Sequence, residues 1–206
     1  MKALIIVDVQ NDFCPGGSLA VKDGDKVIPV INKLMSEFDL VIFTKDWHPE
    51  GMKAFASSYK TKKPFDKYKV NGVEDTLWPD HCIQNTIGAE LHKDLNLALI
   101  KKDFYIFKKG TEKNHHPYSG FDGTELAEFL EERKVDKVFI CGLALDYCCV
   151  DTAIDASFLG LDTTLILDAT KPVNENNIEE TLIKLYEANV KIIESWEIPL
   201  LNLHTI

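Results

Sequence analysis

The sequence predicts an α/β fold in which a parallel sheet is covered by helices on both faces. Short apolar runs rich in β-branched residues alternate with helical patterns. Six such runs recur, at 3–7, 40–43, 104–107, 137–141, 163–167 and 190–193. Their near-continuous hydrophobicity suits strands buried on both faces better than the polar alternation of a half-exposed antiparallel sheet.

Taken in order, the first run ends at Asp8. A helix pattern over about 25–37 leads to the second run, which delivers Asp46 and His48. From Trp47 to about Leu99 the periodicity is weak and Lys, Pro, Gly and aromatics accumulate; segments of that length in compact domains are usually functional. The third run delivers Lys108, Lys109 and Gly110. A helix over 124–134 is expected to begin on the hydroxyl of Thr124, with Glu128, Glu131 and Glu132 in its early turns. The fourth run turns through Gly142 to Cys148 into a helix over 148–160 closed by Gly160, and a helix over 175–189 precedes the last run. No internal repeat, low-complexity tract or linker interrupts the pattern. One domain over 1–206 is expected, with a long active-site insert at about 47–99.

The 33 acidic and 23 basic side chains among 206 residues give a net charge of −10. Nucleic acids and anionic membrane surfaces demand clustered Lys and Arg, so neither is an expected partner; a small molecule is. At 45% apolar and 27% charged the composition is globular. No apolar run approaches a membrane span, and Met-Lys-Ala leads straight into a strand pattern rather than a signal peptide. A cytoplasmic location is expected, and whether the chain forms a homo-oligomer is left open. Five cysteines are an odd number in a chain too large to need staples, which argues against a disulfide framework and leaves a thiol for chemistry.

In open α/β sheets, ligands bind outside the carboxyl ends of the strands, where Asp8, Asp46, His48, Lys109 and Cys148 all gather. Adjacent buried cysteines such as Cys148 and Cys149 are, taken alone, more often small hydrophobes than nucleophiles. A nucleophilic thiol needs a base and a cation, however, and Asp8 and Lys109 arrive beside it. At the start of a helix, the thiol pKa is expected to be lowered. Lys108 and Lys109 point to opposite faces of an extended segment, so only one can enter the site. Asp46 and His48 lie two residues apart, on one side of an extended segment, and with a third ligand, for which His81 from the insert is the candidate and Cys82 a competing soft ligand, they would form a divalent-metal site with open positions. His115 and His116, beside Pro117, read as a solvated loop. His92 and His204 carry no spacing signal. Phe13, Trp78, Tyr118 and Phe121 stand in loops near the same edge and suit a flat aromatic ligand.

The runs Ile6-Val-Asp-Val-Gln-Asn-Asp-Phe13, Phe43-Thr-Lys-Asp-Trp-His-Pro49, Trp78-Pro-Asp-His-Cys82, Lys109-Gly110, Tyr118-Ser-Gly-Phe121 and Gly142-Leu-Ala-Leu-Asp-Tyr-Cys148 together resemble the nicotinamidase/pyrazinamidase branch of the isochorismatase-like cysteine hydrolases. The likeness covers about residues 2 to 195. It implies a three-layer αβα fold around a six-stranded parallel sheet, and hydrolysis of nicotinamide, and of pyrazinamide, to the acid and ammonia through a cysteine thioester. Carried over by position, Asp8, Lys109 and Cys148 match the catalytic triad, and Asp46, His48 and His81 match the ligands of one divalent metal. That ligand set suits zinc first, and iron or manganese as well. Phe13, Trp78 and Tyr118 match the walls of the ring pocket. The resemblance also implies a cis peptide at Leu143–Ala144, with the N–H groups of Ala144 and Cys148 as an oxyanion hole. Many relatives carry a histidine where this chain has Met52, and the residue before the nucleophile, often His, is here Tyr147. The competing readings are another cysteine amidase or isochorismatase-type hydrolase of the same fold, and a thiol redox protein built on the Cys148–Cys149 pair.

Overall fold

The computed structural model of the chain describes residues 1–70 and 73–198; His204 lies outside the described residues. The strands, in chain order, are β1 (Lys2–Val7), β2 (Leu40–Asp46), β3 (Lys67–Val70), β4 (Val73–Thr76), β5 (Phe104–Lys109), β6 (Lys137–Leu143), β7 (Asp162–Lys171) and β8 (Lys191–Ile193). Six of them form one parallel sheet in the order β5-β2-β1-β6-β7-β8, and these are the six predicted from apolar runs. The helices are α1 (Ile28–Leu34), α2 (Leu126–Glu132), α3 (Val150–Phe158) and α4 (Ile178–Glu187).

Side chains alternate across a strand, and the two faces of the sheet bury two separate cores. Leu4 and Ile6 of β1 pack with Ile28, Ile31 and Leu34 of α1 and with Phe55 and Trp78 of the insert. Ala3, Ile5 and Val7 pack instead with Leu126 and Leu130 of α2, Val150, Ala153 and Ala156 of α3 and Leu185 of α4. The result is the expected three-layer αβα arrangement. None of the helices among the described residues is long and apolar enough to cross a membrane.

Three local features depart from the sequence expectation. Thr124 does not cap α2 at the expected place. Glu125 occupies that position, while the Thr124 hydroxyl donates to the Gly120 carbonyl at 2.7 Å and accepts the Leu126 N–H at 3.3 Å, closing the turn before the helix. Leu145–Cys149 form a wide π-helical turn before α3 begins. The insert contains an antiparallel hairpin of β3 and β4, for which the Asn71-Gly72 pair in the sequence is a strong turn signal.

The sheet order places the site. From β1 the chain adds β2 and then β5 on one side, and β6 on the other. This reversal opens a crevice at the carboxyl ends of β1 and β6. Gly142, at φ +115°, lies opposite Val7, where a Cβ would fall 2.1 Å from the Val7 carbonyl oxygen. Only glycine lets β6 leave its neighbour here and turn towards Cys148.

In α3, burial and the neighbouring Asp155 push the carboxyl of Asp151 up to about 6. A raised carboxyl pKa favours the folded state below the unfolded value, and the advantage is lost as pH rises through the folded pKa. Asp151→Asn is therefore expected to leave stability unchanged near pH 3 and to raise it by about 2 kcal/mol at pH 8, measured by urea unfolding at the two pH values.

Candidate active site

Three strand ends bring together a buried set of charges. Asp8 follows β1 with φ +48°, a left-handed conformation that Asp tolerates better than most residues; its Oδ1 accepts the Thr44 hydroxyl at 2.6 Å. Asp46 ends β2 and lies in register with Lys109 at the end of β5. The Lys109 ammonium lies 3.0 Å from Asp8 Oδ2, donates to Asp46 Oδ1 and to the Pro117 carbonyl at 3.3 Å, and sits 3.5 Å from Cys148 Sγ. All four side chains are buried. Lys108 points the other way, as alternation requires, and is exposed with its ammonium 3.9 Å from the centre of the Trp47 ring.

The electrostatics follow from burial and this pairing. Burial opposes the Lys109 charge, but Asp46 and Asp8 hold its pKa well above the ordinary lysine range. Burial likewise opposes Asp46 ionisation, yet Lys109, His48 and His81 hold its carboxyl well below the usual range. For Asp8, burial prevails over the attraction of Lys109, and its pKa is raised. The expectation of a lowered thiol pKa at Cys148 is not met. Burial pushes the thiol well up against the pull of Lys109, with Asp8 and Asp46 adding to the rise. The Asp8 carboxylate lies within 4.8 Å of the sulfur, and among the described residues Asp8 Oδ2 has no hydrogen bond beyond its ion pair with Lys109. A proton acceptor with free capacity thus stands beside a protonated thiol.

The loop carrying Cys148 is fixed from several sides. The Leu143–Ala144 peptide is cis, and the Ala144 carbonyl accepts the N–H groups of Tyr147 and Cys149. Thr152 donates to the Cys148 carbonyl at 2.6 Å. Asp146 accepts the N–H groups of Val173 and Asn174, which ties this loop to the segment after β7. Cys149 is buried in the core on the helical side of the sheet, and no described cysteine is in a disulfide.

On the far side of Asp46 three imidazoles converge. His48 Nδ1 meets the Gly110 carbonyl at 2.9 Å and His81 Nδ1 meets the Pro79 carbonyl at 2.7 Å. A carbonyl can only accept, so each Nδ1 carries a proton, and a neutral ring then presents a lone pair at Nε2. Those Nε2 atoms lie 3.3 and 3.8 Å from Asp46 Oδ2. The third imidazole is His116, which the sequence reading placed in a solvated loop. Among the described residues, neither of its buried ring nitrogens has a hydrogen-bond partner, nor does His48 Nε2. One nitrogen from each of the three rings falls within 4.8 Å of the other two. The available signal was spacing: His116 lies two residues before Tyr118, hence on the same side of an extended segment, and both line one cleft. His115 is exposed as expected and pairs with Asp122 at 3.0 Å. Burial, followed by the neighbouring His48, brings His81 down to about 4, so it is neutral, as a metal ligand must be. Asp8, Asp46 and Cys148 form a second group with metal-ligand spacing, but there the Lys109 ammonium already serves as the cation. Met52 is buried in the core.

A cleft opens over these groups, lined by Phe13, Trp78 and Tyr118 together with Cys148, Asp46 and His81. Leu19, Tyr147 and Val173, not anticipated from sequence, complete its lining, and Ala144 reaches it beside Cys148. The indole N–H of Trp78 donates to the Tyr118 hydroxyl at 3.0 Å, which donates to Asp75 of the hairpin at 2.9 Å. Phe121 does not join this wall; it packs against the core on the other face of the sheet.

The family model for the isochorismatase domain matches residues 2–197. The nicotinamidase of Acinetobacter baylyi is 45% identical over 180 residues, covering 84% of this chain and 83% of its own. Yeast nicotinamidase bound to the inhibitor nicotinaldehyde superposes with a TM-score of 0.88 at 34% identity, covering 94% of this chain and all (100%) of that one. Pyrazinamidase of Pyrococcus horikoshii in complex with zinc superposes with a TM-score of 0.80 at 37% identity, covering 94% of this chain and 98% of that one.

Gly110, at φ +63°, would place a Cβ 2.3 Å from the ring of the fully buried His48. Gly110→Ala is expected to lower stability by about 2 kcal/mol and, by turning His48, to weaken divalent-cation binding by about 10- to 100-fold, read by thermal unfolding and by cation titration.

Proposed function

The chain belongs to the isochorismatase-domain family, in its nicotinamidase branch, and from that premise we propose that it hydrolyses nicotinamide to nicotinate and ammonia, serving NAD salvage, and accepts pyrazinamide as well. The observation that carries this reading is the contact set Asp8, Lys109 and Cys148, whose cysteine lines a cleft walled by aromatic rings. A nucleophile, a base and a cation stand together where a flat heteroaromatic amide fits.

In the proposed reaction the ring lies between Phe13, Trp78 and Tyr118, with its carboxamide over Cys148. Asp8 takes the thiol proton as sulfur attacks the carboxamide carbon. The N–H groups of Ala144 and Cys148 face the developing oxyanion, an interaction whose loss typically costs about 100- to 1000-fold in rate. Asp8 returns the proton to the departing nitrogen, so ammonia leaves and a thioester remains. Water then attacks the thioester with Asp8 as base, releasing nicotinate and restoring the thiol. Lys109 holds both carboxylates in place and stabilises the sulfur as it becomes anionic.

The residues fit a divalent ion: Asp46 Oδ2 and the Nε2 atoms of His48 and His81 converge, and that of His48 is buried with no hydrogen-bond partner among the described residues. Asp46, His48 and His81 would hold it, and the zinc complex of the Pyrococcus pyrazinamidase supports zinc as the ion. A bound ion supplies a Lewis-acidic point for the pyridine nitrogen and so orients the ring. The same reading takes the chain as one domain with its insert at about 47–99 forming the cleft. It also takes the location as cytoplasmic, where five free cysteines are at home.

Cys148→Ala is expected to lower ammonia release from nicotinamide by on the order of 10⁴-fold or more while nicotinamide still binds; undiminished turnover would exclude cysteine catalysis. His48→Ala is expected to raise KM and the dissociation constant for nicotinamide before it affects kcat. Ammonia release measured as purified, after chelation and after return of single divalent ions is expected to fall and then recover; activity indifferent to complete removal would keep the amidase and reject anchoring of the ring by the ion.

A further inference from the structure

We propose that His116 is a fourth protein ligand of the divalent ion, completing an Asp-His₃ set with Asp46, His48 and His81. The proposal rests on the cation site described above and extends it by one residue. Leaving a buried polar atom without a partner is unfavourable, and among the described residues His116 carries two. His48 and His81 each use Nδ1 on a backbone carbonyl and keep one nitrogen for the centre. His116 is held by ring packing instead: its centroid lies 5.2 Å from that of His48 and 5.0 Å from that of Tyr118, nearly perpendicular to the latter. This packing brings one of its nitrogens within 4.8 Å of the ligating nitrogens of both other histidines. Three imidazole nitrogens within 4.8 Å of one another, with Asp46 Oδ2 beside those of His48 and His81, are satisfied together by a cation and by no single hydrogen-bond donor.

Four protein ligands would fill a tetrahedral ion. Contact between the ion and a substrate nitrogen then requires a five- or six-coordinate centre, a geometry that iron(II) and manganese(II) adopt readily. His116 also lines an outer cavity with Lys53, Tyr68, Asp75 and Lys113, so its ring separates the cleft from that cavity. A ligand and a wall are therefore the two roles to distinguish.

The test compares wild type, His48→Ala, His116→Ala and His116→Phe as full-length proteins. Zn²⁺ affinity is read by competition with a chromophoric chelator, and coordination by visible absorption after loading with Co²⁺. His116→Phe keeps the ring and its packing but offers no nitrogen. Both His116 variants are expected to lose about 100-fold in Zn²⁺ affinity and to change the Co²⁺ spectrum. Wild-type affinity and spectrum in His116→Phe would overturn the proposal and leave the ring as a wall alone. If wild type takes up no divalent ion, or His48→Ala binds it as tightly as wild type, the cation site itself fails and the proposal falls with it, a result distinct from failure at His116 alone.

Discussion

The buried ammonium of Lys109 is the charge on which the rest of the site depends. An unpaired charge in a protein interior costs several kcal/mol, and removing one partner of a buried pair is strongly destabilising. Asp8 and Asp46 supply the pairing from neighbouring strands. Their separation is set by strand register, with Asp46 directly opposite Lys109 and Asp8 fastened to Thr44 of β2. The geometry of the charged groups is thus inherited from the sheet. Two carboxylates and one ammonium leave one net negative charge, and passing the Cys148 proton to Asp8 leaves that total unchanged. A thiol whose pKa burial has pushed up can therefore become nucleophilic by an internal transfer, with no charge drawn in from water.

Asp46 joins the two halves of the chemistry. One oxygen accepts from Lys109, and the other faces the imidazoles of His48 and His81. The Gln10 side chain fixes this residue by pairing with both its N–H and its carbonyl, while also donating to Ala89 in the insert. The catalytic cation and the imidazole centre are consequently positioned by a single carboxylate, which is ionised because positive and polar partners surround it on both sides.

The insert has little regular structure, and polar anchors hold it in place of a helical or strand pattern. Asp12 accepts the N–H groups of Ser18 and Cys82, placing the loop of the first strand against the segment that bears His81. The chain from Trp78 through Tyr118 to Asp75 does the same for the aromatic wall. Apart from the local Ser18–Asp12 bond, these contacts join residues tens of positions apart, and period-based reading has no access to them.

By itself the sequence determined the parallel sheet, because fully buried strands must be apolar throughout. Alternation along the strand also determined that only one of Lys108 and Lys109 could enter the site, and the resemblance to a known family selected Lys109. Asp8, Asp46, His48, His81 and Cys148 were legible at strand ends and within motifs, and Phe13, Trp78 and Tyr118 through their resemblance to a known family. Tertiary structure alone decided the rest. It reversed the expected direction of the Cys148 pKa shift, since desolvation outweighs the field of a helix start once the thiol is buried among carboxylates. It made Asp46 a partner of Lys109 as well as of the histidines. It also turned His116 inward, since its environment is built by His48, His81 and Tyr118 arriving from separate loops, and local sequence carries no record of what will surround a side chain after folding.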